Sequence, residues 1–239
     1  MKGIKICLLL LLMIGLAVAL FPMGNGFVKE QQMTRQAQSF IAKTELLPAF
    51  TETVQSINEA AVPPYQDLLE AMQSYNATLY ANGQSALTGP AAYQEAALDV
   101  VAYGLDDGVV GVVSIPKIGA ELPIYLGATS DNLAAGAAVL GQTSLPIGGE
   151  NTNCVIAAHR GWRGANYFRY LDELEIGDTV TVTNLWDTIG YRVCSVRVIE
   201  PDDINAILIQ PDRDLLTLIT CHPYASGGKY RLAVYCERN

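Results

Sequence analysis

Ile6 to Phe21 is an unbroken apolar run, preceded by Lys2 and Lys5 and closed by Pro22. Sixteen helical residues cover roughly 24 Å, a little short of a hydrocarbon core of about 30 Å unless the stretch to Phe27 joins the interface and Lys5 snorkels. Lysines ahead of such a run stay cytoplasmic and send the rest of the chain outward. The pattern predicts a cytoplasmic tail over 1–5 and an uncleaved transmembrane anchor over 6–22. Ala17, Val18 and Ala19 also fit a signal-peptidase site, and a cleaved leader exports the same chain.

From Phe27 to about Asn82 apolar positions return at helical spacing, as in Leu68, Leu69, Met72, Tyr75 and Leu79, and Gly83 follows where a helix stops. This predicts a helical extension over 23–83, broken at Pro63 and Pro64, with one apolar face to bury. Asn76-Ala77-Thr78 matches a glycosylation sequon, a match too short to carry an assignment. The segment 84–107 holds Gly89-Pro90 and little periodicity, and is expected to be a long loop followed by a short helix around Tyr93 to Ala102. Loops of this length in compact domains are commonly lids or linkers.

After Gly108 the pattern changes to short β-rich runs: VVGVVSI, ELPIYL, NCVIAAH, DTVTVTN, YRVCSVRVIE, LLTLITC and YRLAVYC. Gly148-Gly149, Gly177-Asp178 and Gly227-Gly228 separate several of them. ANYFRYLDELEIGD, between two of the runs, is expected to be a short helix or turn. The fold class expected is mainly β, a closed barrel of about eight strands with short helices over 108–239, preceded by the helical extension and the anchor.

Charge and composition narrow the function. With 15 Lys+Arg against 24 Asp+Glu the formal net charge is -9, which excludes the clustered positive surface a nucleic-acid binder needs. A chain that is 50% hydrophobic and 16% charged is too apolar to be disordered. The scarce residues carry more information: two histidines, His159 and His222, and five cysteines, Cys7, Cys154, Cys194, Cys221 and Cys236. They contain no CxxC pair and no His/Cys cluster, so neither a zinc site nor a dense disulfide framework is expected.

Cys7 lies in the anchor, and Cys154 and Cys194 sit inside apolar runs, where a free cysteine is usually a small buried hydrophobe. Cys236 lies in the last run, where a disulfide to another cysteine stays open. Cys221 differs because it ends a strand and opens into His222-Pro223-Tyr224, where a nucleophile is both held and reachable. Such a thiol wants a basic or cationic neighbour. Successive strand residues face opposite ways, so His222 is badly placed to meet the Cys221 sulfur, and His159, ending NCVIAAH, is the better partner. Antiparallel return of YRLAVYC beside LLTLITC brings Arg231 close to Cys221, where a guanidinium can donate to a developing oxyanion.

These residues resemble the sortases, membrane-anchored cysteine transpeptidases of Gram-positive bacteria. The resemblance rests on TLITC (Thr217 to Cys221) with Asp214 before it and Pro223-Tyr224 after it, on SLPIGGENTNCVIAAHRG, on IPKIGAELPIYLGAT and on the KYRLAVY strand. EAMQSYNATL is similar to the helix that class C, pilin-polymerising sortases place before their barrel. The resemblance implies Cys221 as nucleophile, His159 as general acid and base, and Arg231 as ligand of the oxyanion or substrate carbonyl, with no cofactor and no metal. It implies pilin or surface-protein substrates bearing an LPXTG-like sorting signal, cut after Thr to a thioacyl-enzyme and transferred to an amine, a pilin lysine in class C. It also implies a single-pass cell-membrane protein with an extracellular catalytic domain and no nucleic-acid partner. Wall anchoring by a housekeeping or accessory enzyme, and a non-catalytic pilus-assembly scaffold, remain as alternatives. Class C lids usually carry an Asp-Pro-aromatic motif; the corresponding loop here reads LTGPAAYQ, with Tyr93 as the available aromatic. Val139 and Asn153 stand where the family often has histidine, and His222 where it often has Thr.

Overall fold

The computed structural model describes residues 2–47 and 63–239, with the side chains of 2–9, 14 and 16–24 outside the described set. The described residues include eight strands: β1 (Gly111–Ile115), β2 (Ala120–Leu126), β3 (Ala137–Val139), β4 (Thr152–Ala157), β5 (Thr179–Thr183), β6 (Thr188–Ile199), β7 (Asp214–His222) and β8 (Tyr230–Arg238). They form a closed barrel in the order β1-β2-β3-β4-β7-β8-β6-β5, with β5 pairing back onto β1. Seven correspond to the β-rich runs. The eighth, β3, is three residues long, too short for an alternating pattern to register. It is held by parallel pairing to β2 and antiparallel pairing to β4.

Side-chain alternation sorts the adjoining strands β4, β7 and β8 into two apolar sets. Cys154, Ile156, Leu216, Leu218, Val234 and Cys236 share the main core with Val180, Val182 and Tyr191. Their odd-numbered neighbours Val155, Ile219, Ala233 and Tyr235 form a second cluster with Leu87, Leu140 and Ile207. That second cluster is where the site is built.

Among the described residues the α-helices are α1 (Lys2–Leu46), α2 (Gln66–Ala81) and α3 (Ser130–Ala135). α1 is one continuous 45-residue helix, so no break separates the expected anchor from the expected extension. The anchor over 6–22 falls mainly on residues whose side chains lie outside the described set; among the described residues no helix is long and apolar enough to cross a membrane. Met33, Ala37 and Phe40, at helical spacing, are buried in the main core. Gly26 meets the backbone of Gly164, which would lie 2.4 Å from any Cβ placed there, and Glu30 accepts a hydrogen bond from Asn166 N at 2.9 Å. α1 is thereby fastened to the loop after β4.

α2 buries Leu68, Met72, Asn76 and Leu79. The Asn76 amide accepts from Leu145 N at 2.8 Å and donates to Leu145 O at 3.4 Å, so the sequon asparagine is a strut between α2 and the barrel. Gly83 and Gln84 take left-handed φ values of 58° and 52°, ending the helix where expected. The helical stretch expected between 48 and 62 lies outside the described residues. The helix expected over Tyr93 to Ala102 is instead two 3-10 turns, Ala92–Gln94 and Val100–Tyr103. The cause is tertiary: Tyr93 O already accepts from the distant Ala128 N and Gly141 N, which leaves it unavailable to an α-helical partner. The region 165–178 contains only the 3-10 turn Leu171–Glu173, in line with a short helix or turn.

Candidate active site

β4 and β7 run parallel and in register from Thr152↔Asp214 to Ala157↔Ile219. Continuing that register by two residues sets His159 abreast of Cys221. Across the β7–β8 ladder Cys221 pairs directly with Arg231, and Arg231 pairs with Ile199 of β6. Directly paired residues share a face, so three sequence-distant side chains converge by parity. His159, Cys221 and Arg231 all line one cavity of about 230 Å³. His222, of opposite parity, does not.

The second apolar cluster supplies the cavity's floor through Ala157, Ile199, Ile207 and Ile219. Glu200, Pro201 and Asp203, in the β6–β7 connection, form one wall. Pro90, Tyr93 and Gln94, in the loop before the barrel, form another. That loop is seated firmly: Tyr93 O accepts from Ala128 N at 2.7 Å and from Gly141 N at 2.9 Å. The close approach needs glycine beneath it, since a Cβ at Gly141 would stand 2.2 Å from Ala92 O and one at Gly127 would stand 2.7 Å from Gln94 O. Burial, then the Asp202 carboxylate, raises the Tyr93 phenol above its ordinary pKa, while Arg231 pulls it down.

The His159 ring stacks on Trp162 at 5.2 Å between centroids and meets the Tyr167 ring edge-on at 5.7 Å. Burial in this slot lowers its pKa below the ordinary imidazole value, because the cation is stripped of water with no carboxylate to compensate. The ring is therefore mostly a neutral base near pH 7. Activity that needs this base falls on acidification only through a midpoint below about 6.5, the unperturbed value, and Trp162→Ala, which opens the slot, moves that midpoint upward. The pH profile of kcat/KM checks this; an acidic limb at or above the ordinary value contradicts it. Stability follows the same sign. A depressed folded pKa means the unfolded chain takes up the proton first, so the His159 contribution is present above the unfolded value and is lost as pH falls through the folded one.

Arg231 is held from behind, its Nη1 donating to Gly228 O at 2.7 Å and to Tyr230 O at 3.0 Å. Gly228, at φ +84°, has no side chain to intrude; a Cβ there would lie 3.4 Å from Cys221 Sγ and 3.1 Å from Arg231 Nη1.

The remaining described cysteines are also free, and none lines the cavity. Burial pushes the Cys154 and Cys236 thiols well up, which keeps them protonated and inert. Cys194 lies at the irregularity where β6 slips register against β8, a bulge position, and donates to Tyr235 O at 3.3 Å. Cys7 lies among residues whose side chains are not described. Asp214 begins β7, at the end remote from Cys221, where it accepts hydrogen bonds from Gly149 N and Tyr191 Oη. Asn153 is buried, accepting from Thr217 Oγ1 and donating to Ile207 O, so it ties the β6–β7 connection to the sheet. Sequence reasoning gave no role to Trp162, Tyr167 or Arg160; the Arg160 partners lie 12, 61 and 62 residues away in the chain.

A closed barrel presenting a thiol, an imidazole and a guanidinium on one face of adjoining strand ends has the groups that thiol-centred acyl transfer requires. Residues 113–239 match the sortase domain, and the chain belongs to the sortase family. It is 32% identical over 130 residues to sortase D of Bacillus subtilis, a match covering 54% of this chain and 63% of that protein; the chain thus spans less than two thirds of that relative's length. Sortase C-1 of Streptococcus pneumoniae superposes with a TM-score of 0.70 at 30% identity, over 86% of this chain and 98% of the other. A pilus-related sortase C of Group B Streptococcus gives 0.66 at 28% identity, over 84% and 96%.

Proposed function

We propose that the protein is a cysteine transpeptidase of the pilin-polymerising class, acting on an LPXTG-like sorting signal. The observation that carries this reading is the convergence of Cys221, His159 and Arg231 on one cavity that Pro90 and Tyr93 also wall. A loop ahead of the barrel seated over the site is the feature that the resemblance to class C sortases called for, although its sequence departs from the usual motif. The apolar floor suits the Leu-Pro end of such a signal, and the guanidinium suits its scissile carbonyl.

In the first half-reaction the neutral His159 imidazole takes the Cys221 thiol proton as Sγ bonds to the threonine carbonyl carbon. Arg231 donates to the carbonyl oxygen as it becomes an oxyanion. His159 then gives its proton to the departing amide nitrogen, the C–N bond breaks and a thioester remains. In the second, an acceptor amine attacks the thioester carbon, His159 takes the amine's proton, the C–S bond breaks and the proton returns to Cys221. No charge or atom is left over, and no cofactor or metal enters this scheme.

The apolar run over 6–22 fits a single-pass anchor with the catalytic domain outside the cell membrane, which would hold the enzyme where secreted pilin or surface-protein substrates emerge. Incubating the protein with a sorting-signal peptide and following its mass tests the reaction: a thioacyl adduct on Cys221 is expected, discharged by a pilin subunit. Discharge by a wall cross-bridge peptide alone would make the enzyme a wall-anchoring sortase, and no adduct in any mixture would favour the scaffold.

A further inference from the structure

The register that aligns His159 with Cys221 also aligns the next residues, Arg160 with His222, on the opposite face of the same two strand ends. Arg160 is 7% exposed and lies outside the cavity lining. Its Nη1 donates to His222 Nδ1 at 2.6 Å and lies 3.5 Å from Cys221 O. Its Nη2 meets Asp172 Oδ2 at 2.6 Å, on the 3-10 turn Leu171–Glu173. The Arg160 Nε is buried with no partner.

Two features set this apart from an ordinary ion pair. The ladder between β4 and β7 stops just short of the site: its last backbone bond is Ala158 N to Ile219 O at 3.2 Å, backed by the side-chain bond from Thr220 Oγ1 to Ala158 O at 2.9 Å. Beyond them the guanidinium fork is what spans the two chain ends. The pair is also a poor device for stability, because a buried cation with one unpaired nitrogen faces a carboxylate that is 48% exposed, and burying such a charge costs more than an apolar replacement. Its geometry is what it contributes.

We propose that Arg160 is a positioning residue, its fork setting the spacing between the His159 imidazole and the Cys221 sulfur from behind the site. This rests on the reading of Cys221 as nucleophile and His159 as its base. Arg160 follows His159 directly in the chain and grips the carbonyl and the neighbouring ring of the Cys221–His222 strand end, so loss of the fork lets the two ends drift apart. A misplacement near 1 Å is enough to cost roughly 100-fold in rate. The substrate groove is untouched, so KM stays within about twofold while kcat falls. Arg160→Lys recovers little, since an ammonium lacks the planar fork that reaches Asp172 and His222 together. Asp172→Asn keeps an acceptor oxygen for the fork and gives an intermediate loss.

The test uses the full chain and two readouts: peptide transfer kinetics, and the rate of Cys221 alkylation by iodoacetamide as a function of pH. Wild type should show a His159-dependent component in the alkylation profile, defined by its absence in His159→Gln. Arg160→Gln should lose that component and lose kcat without KM. Retention of the component with kcat intact, or a rise in KM alone, overturns the proposal. If Arg160→Gln does not fold, Asp172→Asn decides, since its half-exposed side chain is replaced by a near-isostere; an unchanged profile and kcat there likewise overturns it. Should wild type transfer no peptide, the functional reading fails, yet the alkylation profile still tells whether Arg160 positions the pair.

Discussion

Cys221→Ala yields a folded protein that forms no covalent adduct with a sorting-signal peptide and transfers none of it to an amine. The loss is complete because no other described thiol can take over: Cys154 and Cys236 are buried in the main core, and Cys194 lies away from the cavity. The fold survives because Cys221 is half-buried at a strand end, on a cavity wall, so removing the sulfur leaves space already open to solvent rather than an interior void. Its backbone pairing with Arg231 needs no side chain. The unfolding free energy should accordingly change by no more than for a typical surface substitution, about 0.5 kcal/mol. Intact-mass spectrometry after peptide incubation, with a denaturant melt alongside, measures both halves. An adduct on the alanine variant would place the acyl group on another residue and end the assignment of Cys221.

The parity argument at this site was available in the sequence, and its limits are instructive. Alternation along LLTLITC-His222 was enough to separate the faces of Cys221 and His222, and the structure turns His222 away onto Arg160. The hairpin return was enough to bring Arg231 beside Cys221. What local pattern did not contain was the parallel pairing of β4 with β7, because two other strands, β5 and β6, intervene in the chain; His159 was preferred on its strand-end position, whereas the register supplies the reason. The same long-range pairing hid Arg160, whose role exists only once residues 61 and 62 positions away in the chain are alongside. The loop before the barrel was legible as a loop but not as a seated wall of the cavity, since its seat depends on Gly127 and Gly141, which look like ordinary turn glycines until the 92–95 backbone lies on them. β3 escaped for want of length. The helical extension was visible as periodicity, while the continuity of α1 through Pro22 was not, because a proline at that place ordinarily marks a boundary.

Arg231→Ala lowers kcat for peptide transfer by roughly 100- to 1000-fold, the range found when a single preorganised oxyanion donor is removed, with a much smaller effect on KM. The size follows from how the guanidinium is held. Two backbone carbonyls, Gly228 O and Tyr230 O, fix one Nη before substrate arrives, so the group needs no reorganisation as charge develops on the carbonyl oxygen. The charge is permanent, so the loss should be nearly independent of pH, unlike the acidic limb governed by His159. Arg231→Lys should restore only part of the rate, because a point charge cannot hold the two carbonyls and still present a planar edge to the oxyanion. Steady-state kinetics on both variants, repeated at two pH values, separate the cases. A loss confined to KM would make Arg231 a ground-state carbonyl ligand, and a loss that vanishes at high pH would assign it to the ionisation of its neighbours instead of to the oxyanion.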